Sequence, residues 1–181
     1  KIEKPIIAQL FGAKPENFYK SAKLVKRLGF DGIDINMGCP QKNIVKQGAG
    51  SKLIESPKLA QEIIKETKRG AGSLPVSVKT RIGYNEVEDF EFLKSFIQTT
   101  KNAGSKKFII HARKALLKKL SPKENLNIPP LKYEFVYKLK EHFKKDEIII
   151  NGGIKSTEDI KNHLLKVDGA MIGRAIYHSP Y

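Results

Sequence analysis

The chain has 181 residues, of which 40% are hydrophobic and 29% charged, as in an ordinary globular domain and unlike a disordered chain. The single cysteine, Cys39, excludes an intrachain disulfide and a zinc site with several thiolates, and no apolar run approaches the roughly 18 residues of a membrane span. The 34 Lys and Arg against 19 Asp and Glu give a net charge of +15, which favours a polyanionic partner such as nucleic acid, or else reflects a lysine-rich proteome.

Short apolar runs recur along the chain and predict β-strands. Each has three to five residues, and such continuously apolar runs are typical of strands buried on both faces. They lie at Ile6–Leu10, Gly32–Ile35, Val76–Val78, Phe108–Ile110, Ile148–Ile150 and Gly169–Ile172.

Helical patterns fill the intervals between these runs. Ser56 and Pro57 have the residue types of an N-cap and a first-turn proline, and Ser156 with Asp159 resembles a capping box. Glycines that are expected to end helices lie at Gly29, Gly70 and Gly104. The predicted helices are Pro15–Leu28, one from Pro57, Glu88–Lys101, Tyr133–Phe143, one after Ser156, and a short one at AIYH near the end.

This alternation predicts an α/β fold with a parallel sheet in one domain over residues 1–181. An open doubly wound sheet and a (β/α)₈ TIM barrel both fit it. A whole barrel needs about 250 residues and eight strands, so the barrel interpretation makes this chain a fragment that covers strands 3–8.

A polar group follows each predicted strand. In both architectures chemistry takes place at the carboxyl ends of strands, so these groups are expected to converge on a site for an anionic ligand. They are Gln9, then Asn36 and Cys39, then Lys79 and Arg81, then His111 and Arg113, then Asn151, Gly152 and Gly153, and finally Gly173 and Arg174.

The last two strand ends have the composition of a phosphate site. Asn151-Gly152-Gly153 lets backbone N–H groups approach a phosphate, and Gly173-Arg174 precedes a short helix. The alternative is a pair of ordinary glycine turns.

Cys39 lies in a Gly-Cys-Pro turn, where it could be a general acid or nucleophile or simply a small buried side chain. Lys79 and His111 could be structural, or could hold an electron-rich ring such as a flavin. His142, His163 and His178 show no comparable signal.

Two further segments carry glycine or charge. Gln47–Lys52 resembles a phosphate loop but lacks the spacing of one, so an NTPase or Rossmann site is not expected. His111–Lys123 is basic, with Lys114, Lys118, Lys119 and Lys123 and no acid. It could guide an RNA backbone to the site or be a solvated loop.

Seven short motifs stand in order along the chain. They are D-I-N-M-G-C-P at Asp34–Pro40, V-K-T-R-I-G at Val78–Gly83, H-A-R-K-A at His111–Ala115, L-S-P-K-E-N at Leu120–Asn125, I-P-P-L at Ile128–Leu131, I-N-G-G-I at Ile150–Ile154 and M-I-G-R-A at Met171–Ala175. Together these motifs resemble the FMN-dependent tRNA-dihydrouridine synthase family, and the run from His111 to Leu131 resembles its A-type subfamily, which modifies U20 and U20a.

The resemblance implies a TIM barrel that reduces the C5=C6 bond of a tRNA uridine with FMN, and with NADPH as reductant. It implies that Cys39 is the general acid and that Asn36 contacts the uracil. Arg81 and Arg113 would lie near flavin or substrate, and Lys123 would contact tRNA. The implied FMN-binding residues are Gln9, Lys79, His111, Asn151, Gly152, Gly153, Gly173 and Arg174.

The chain departs from the family at Leu116 and Leu126, where an aromatic residue and an arginine are usual. From the resemblance we expect the 181 residues to represent a fragment without the first two β/α units and the helical tRNA-binding domain. A non-catalytic RNA-binding barrel and a flavin enzyme acting on a small pyrimidine are the alternatives. We expect a cytoplasmic monomer without metal or membrane association.

Overall fold

A computed structural model describes residues 4–117 and 120–178 of the chain. The six predicted strands are all present and form one parallel sheet in the order β1-β2-β3-β4-β5-β6. Within the described residues no ladder joins β6 to β1, so the sheet is not closed. The strands are β1 Ile7–Leu10, β2 Gly32–Met37, β3 Val76–Arg81, β4 Lys107–His111, β5 Glu147–Asn151 and β6 Gly169–Met171.

The predicted helices are present between the strands. The helices are α1 Pro15–Arg27, α2 Lys42–Lys46, α3 Pro57–Ala71, α4 Phe90–Asn102, α5 Tyr133–His142, α6 Thr157–Leu164 and α7 Arg174–His178, with 3₁₀ helices at Gly50–Glu55 and Glu124–Leu126. One short helix, α2, lies before α3 in the β2–β3 connection and was not predicted. None of the helices in the described ranges is long and apolar enough to cross a membrane.

The helix ends show which capping predictions hold. Ser156 and Asp159 form the predicted capping box, and Pro57 is the first residue of α3. The side chain of Ser56, however, makes no capping hydrogen bond. Gly70 was expected to end α3 but lies inside it, and Gly72, at a φ of +64°, follows the helix instead. A positive φ is the conformation that favours glycine, so the terminator was placed two residues too early.

The two faces of the sheet differ in chemistry. The face that the helices cover is apolar and forms the core, where strand side chains interlock with those of α1, α3, α4 and α5. Its fully buried strand residues are Ile33, Ile35, Met37, Val78, Phe108, Ile110, Ile148 and Ile150.

The opposite face carries a row of polar residues at one register level. Gln9 pairs with Asp34, Asp34 with Ser77, Ser77 with Lys107, and Lys107 with Glu147 along the ladders. Because side chains alternate between faces, these residues share the face away from the helices. Strands β2 and β3 are buried on both faces as predicted, but the expectation of apolar side chains on both is wrong.

Several strands extend beyond the predicted apolar runs. β2 continues to Met37, β3 to Arg81, β4 to His111 and β5 to Asn151. Asn36, Lys79 and the residues that end β3, β4 and β5 are therefore part of the sheet rather than of loops. Their backbone is fixed by the ladders, which gives the site a rigid floor.

Candidate functional site at the carboxyl ends of the strands

A cavity of about 780 Å³ opens at the carboxyl ends of the strands. This volume lies in the range of small-molecule sites, roughly 300–1,000 Å³. Ten of the predicted site residues line it: Asn36, Cys39, Lys79, Arg81, His111, Asn151, Gly152, Gly153, Gly173 and Arg174. The predicted convergence of strand ends is therefore present.

The loop that carries Cys39 is held from three sides. The Asn36 Oδ1 accepts hydrogen bonds from the N–H groups of Gly38 and Cys39, at 3.1 and 3.0 Å. The backbone N–H and the Oγ of Ser51 both donate to the carbonyl of Cys39 at 2.9 Å. Arg81 donates from Nε to the carbonyl of Gly38 at 2.8 Å. The half-buried thiol therefore stands on a fixed backbone at the cavity wall.

The glycine segment that resembled a phosphate loop supports this same turn. Gly50 has a φ of +61°, and a Cβ built there would lie 2.5 Å from the carbonyl oxygen of Cys39. Only glycine allows the backbone to approach this closely, and the approach brings the buried Ser51 to the Cys39 carbonyl. Sequence patterns do not identify Ser51, because its partner is twelve residues away.

Arg81 is almost fully buried and joins three loops. Besides Gly38, it donates from Nη1 to the carbonyls of Lys114 and Asn125, each at 3.1 Å. Burial lowers the pKa of Arg81 to about 10, so the guanidinium remains charged at neutral pH. Arg81 lines the cavity as expected near a ligand, but much of its hydrogen-bonding capacity is used to hold the surrounding backbone.

Lys79 is a cation with a neutral partner. Its Nζ donates to the Oδ1 of Asn151 at 3.1 Å, and the Nδ2 of Asn151 donates to the carbonyl of Met171 at 2.8 Å. Burial, with repulsion from Arg81, lowers the pKa of Lys79 to about 8. Among the described residues no carboxylate lies within ion-pair distance of Lys79, and the more distant charge of Asp34 only partly opposes the lowering of its pKa, so the ammonium faces the cavity without a direct ion pair.

His111 is neutral in this environment. Burial and the nearby positive charges lower its pKa to about 2. The Nδ1 accepts from the N–H of Arg113 at 3.3 Å, so the proton of the neutral ring is on Nε2, where it is available as a donor. The positive charges that act on the ring belong to Arg81, Lys79, Arg113 and Arg174.

Gly152 and Gly153 form a floor that excludes side chains. Their φ values are +109° and +73°. A Cβ on Gly153 would lie 2.6 Å from Leu131 Cδ1, and one on Gly152 would lie 3.0 Å from His111 Cε1. Tyr133 fixes the turn by donating from its hydroxyl to the carbonyl of Gly152 at 2.7 Å. Tyr133 has no sequence signal beyond its place at the start of α5.

The loop after β4 closes one side of the cavity. Pro122, Leu126 and Asn127 line it, and Arg174 donates from Nη1 to Asn127 Oδ1 at 3.1 Å. Sequence reasoning did not assign these three loop residues to the site. His178, to which the sequence patterns assign no role, also lines the cavity.

Three predicted site residues lie outside the cavity lining. Gln9 donates from Nε2 to Asp34 and accepts from Asn36. Arg113 is half-buried and donates from Nη1 to the carbonyl of Pro129. Lys123 is exposed on the loop after β4, next to residues that line the cavity.

The basic run from His111 to Lys123 carries less free charge than its sequence suggests. Glu88, from before α4, lies 3.3 Å from both Lys114 Nζ and Lys132 Nζ. Lys118 and Lys119 lie outside the described residues. Lys123 is thus the lysine of this run that the structure shows exposed.

The fold is shared with other α/β proteins of low sequence identity. The sialic acid aldolase of Ruminococcus gnavus aligns with a TM-score of 0.58 at 12% identity, covering 92% of this chain and 53% of the aldolase. The dihydrodipicolinate synthase of Rhodopseudomonas palustris aligns with a TM-score of 0.53 at 10% identity, covering 95% and 48%. The chain therefore shares its parallel α/β fold with these proteins, and its candidate site lies at the carboxyl ends of the six strands.

Within this fold class the sequence identifies the family. The family model "Dihydrouridine synthase (Dus)" matches residues 1–181, and the chain belongs to this family. The tRNA-dihydrouridine(20/20a) synthase of Vibrio parahaemolyticus is 44% identical over 180 residues, which are 99% of this chain and 55% of that protein. The enzyme of that name from Escherichia coli O6:H1 is 45% identical over 179 residues, 98% of this chain and 54% of that protein.

The chain spans about half the length of these curated relatives. The resemblance to the family is confirmed, and so is the interpretation of the sheet as part of a TIM barrel. In the residues that the structure describes, no group of three or more His, Cys, Asp or Glu side chains is placed to hold a metal ion.

Proposed function

We propose that this chain carries the catalytic site of a tRNA-dihydrouridine synthase that reduces the C5=C6 bond of U20 or U20a with FMN, and with NADPH as reductant. The observation that carries the proposal is a single cavity that joins the Cys39 thiol to a cationic and glycine-lined floor. The printed names of the relatives support the substrate position.

The residues present fit a flavin mononucleotide. The cavity size suits a ligand of this kind, and two glycines at positive φ leave room that a Cβ would fill. Gly152, Gly153, Gly173 and Arg174 would hold the phosphate, whose negative charge matches the unpaired positive charge of the cavity. When bound, FMN would supply the hydride that adds to C6 of the uracil.

Lys79 and His111 would bind the electron-rich edge of the flavin ring. Lys79 offers a charged donor, and the Nε2 of His111 offers a neutral one, since burial and the surrounding cations prevent its protonation. A negative charge beside Lys79 would raise its pKa from about 8 and keep the ammonium protonated.

Cys39 would act as the general acid. Its S–H bond would break as the proton passes to C5, and with a hydride supplied at C6 the C5=C6 bond would be replaced by the C5–H and C6–H bonds of dihydrouridine. The anchored Gly38–Cys39 backbone holds the thiol in one place, which is what an effective proton donor needs.

The target uridine has to leave its base stack to reach this cavity. Asn36 would contact the uracil, while Lys123 and the net charge of +15 support contact with the tRNA backbone. Gln9, Arg81 and Arg113 stay candidate residues for flavin or substrate contact. Such an enzyme would work in the cytoplasm, where tRNA is modified.

The test compares the purified protein with the Cys39→Ala variant. We expect both to show a flavin absorption spectrum and to release FMN on denaturation. With NADPH and tRNA that lacks dihydrouridine, only the protein with Cys39 is expected to form the modified nucleoside, because the variant has no proton donor for C5.

Other outcomes would contradict the proposal. Activity on a free pyrimidine but not on tRNA would favour a small-molecule flavin enzyme. Binding of tRNA without any FMN, even after reconstitution, would favour a non-catalytic RNA-binding barrel. Full turnover by Cys39→Ala would refute the general-acid assignment alone.

A further inference from the structure

A chain of hydrogen bonds runs across the polar face of the sheet and ends at the Cys39 loop. Ser77 donates from Oγ to the Oδ1 of Asp34 at 2.7 Å, and Gln9 donates from Nε2 to the Oδ2 of Asp34 at 2.7 Å. Asn36 donates from Nδ2 to the Oε1 of Gln9 at 3.0 Å. The Oδ1 of Asn36 then accepts from the N–H groups of the Cys39 turn.

The direction of this chain of hydrogen bonds, called the relay below, is set at both ends, because an ionised Asp34 can only accept and the N–H groups of Gly38 and Cys39 can only donate. Gln9 and Asn36 carry amides that could each be turned end for end, whereas an ionised carboxylate can only accept. Because Asp34 accepts, Gln9 must present its NH₂ to Asp34 and its oxygen to Asn36. Asn36 must then present its NH₂ to Gln9 and its oxygen to the loop.

We propose that Asp34 is a positioning residue that fixes the Cys39 loop through Gln9 and Asn36. The reversed relay would place the NH₂ of Asn36 against the N–H groups of Gly38 and Cys39, with no acceptor between them. The loop would then lose two hydrogen bonds. The consequence for proton transfer rests on the proposed function, while the effect on the loop does not.

The environment of Asp34 supports this role. Asp34 is 4% exposed, and burial raises its pKa, while the bonds from Ser77 and Gln9 and the charges of Lys79 and Lys107 oppose that rise. Buried carboxylates are unfavourable unless their acceptors are satisfied, and here both oxygens receive a donor. The apolar core lies on the other face, so Asp34 is not required for its packing.

The Asp34→Asn substitution replaces one acceptor oxygen with an NH₂ donor and changes the shape of the side chain little. Its NH₂ must face either Ser77 or Gln9. Facing Ser77 is unfavourable, because among the described residues the other acceptor near that hydroxyl is the carbonyl of Ile33 at 3.5 Å. Facing Gln9 reverses the relay. We expect hydrogen exchange of the Gly38 and Cys39 amides, followed by NMR, to accelerate about tenfold, the factor for roughly 1.4 kcal/mol of lost hydrogen bonding.

Two further variants make the test specific. The double variant Asp34→Asn with Gln9→Glu places the carboxylate at position 9, where it accepts from the introduced asparagine and from Asn36. We expect amide exchange in this variant to return to within about threefold of the original rate. Ser77→Ala is the matched control: it removes the other bond to Asp34 but leaves the relay direction intact, so the two amides are expected to keep their protection.

Original exchange rates in Asp34→Asn, equal acceleration in Ser77→Ala, or no recovery in the double variant would each overturn the proposal. If Asp34→Asn does not fold, Gln9→Leu cuts the relay at an exposed residue; it is expected to accelerate exchange by a smaller factor, because it removes the bond that orients Asn36 without turning the Asn36 amide. These readouts need no turnover. If turnover is absent from the unaltered protein as well, the proposed function fails while the exchange pattern still decides the role of Asp34.

Discussion

Replacement of Lys79 by methionine tests whether the cavity holds an uncompensated cation. In the folded protein without ligand, burial lowers the pKa of Lys79 from 10.5 to about 8. Below pH 8 the lysine is charged in both the folded and the unfolded chain, and the folded state carries the full desolvation cost. Between pH 8 and 10.5 the folded protein releases the proton first, so its stability rises with pH.

The pKa difference sets the size of the effect. A fall from 10.5 to about 8 corresponds to roughly 3 kcal/mol of destabilisation at neutral pH. The variant also loses the hydrogen bond to Asn151, which costs about 1 kcal/mol. We therefore expect Lys79→Met to be about 2 kcal/mol more stable than the original protein at pH 7, and to lose this advantage by pH 10.5.

Urea denaturation of the two ligand-free proteins from pH 7 to 10.5 measures this difference directly. Other groups titrate in this range, but they are common to both proteins and cancel in the comparison. Lys106→Met is the matched control, because Lys106 is exposed just before β4. A difference in the free energy of unfolding between the two proteins that stays constant from pH 7 to 10.5 would contradict the lowered pKa of Lys79. If the proposed function holds, addition of FMN is expected to stabilise the protein with Lys79 more than the variant, since the electron-rich edge of the flavin ring would meet the charge of Lys79.

Three further predictions concern the floor, the loops and the substrate. Gly153→Ala places a Cβ at a φ of +73° and against Leu131, so we expect a loss of about 2 kcal/mol in thermal denaturation, whereas Gly173→Ala, where a Cβ has open space, is expected to cost little. A lysine at position 81 cannot reach the three carbonyls that Arg81 contacts, so we expect Arg81→Lys to lower the free energy of unfolding by roughly 2–3 kcal/mol. Unchanged stability in urea denaturation would contradict the role of Arg81 in joining the three loops. Binding of tRNA is expected to weaken about tenfold or more between roughly 50 and 200 mM salt, and a flat response would exclude phosphate contact.

The order and type of the elements could be predicted from the sequence because the helix-covered face of each strand is strongly apolar. The ends of the strands could not be predicted, because Lys79 and Arg81 are polar residues that follow an apolar run, and such residues are typical of loops. In the sheet these residues alternate with the buried Val78 and Thr80. A polar face inside a barrel thus hides strand residues from a search for apolar runs.

The candidate site was predictable to the extent that parallel strands bring their ends together. Cys39, Lys79 and His111 were found in this way. Ser51 and Tyr133 were not, because they act on the site from elements distant in sequence, through the carbonyls of Cys39 and Gly152. Backbone carbonyl acceptors are the same for every residue type, so the sequence alone does not show which side chain will reach them.

The polar face of the sheet accommodates its cations in two ways, and the contrast indicates what the cavity is for. At the amino-terminal side of β4, Lys107 is paired with Glu147 on β5 at 2.8 Å. At the carboxyl ends, Lys79 and Arg81 contact neutral oxygens, and within the described part of the chain neither has a carboxylate partner. A sheet evolved for stability alone would pair or replace such buried charges, since each lowers the stability of the ligand-free fold. Their presence at one end, beside glycines at positive φ, is explained if an anionic ligand completes the site.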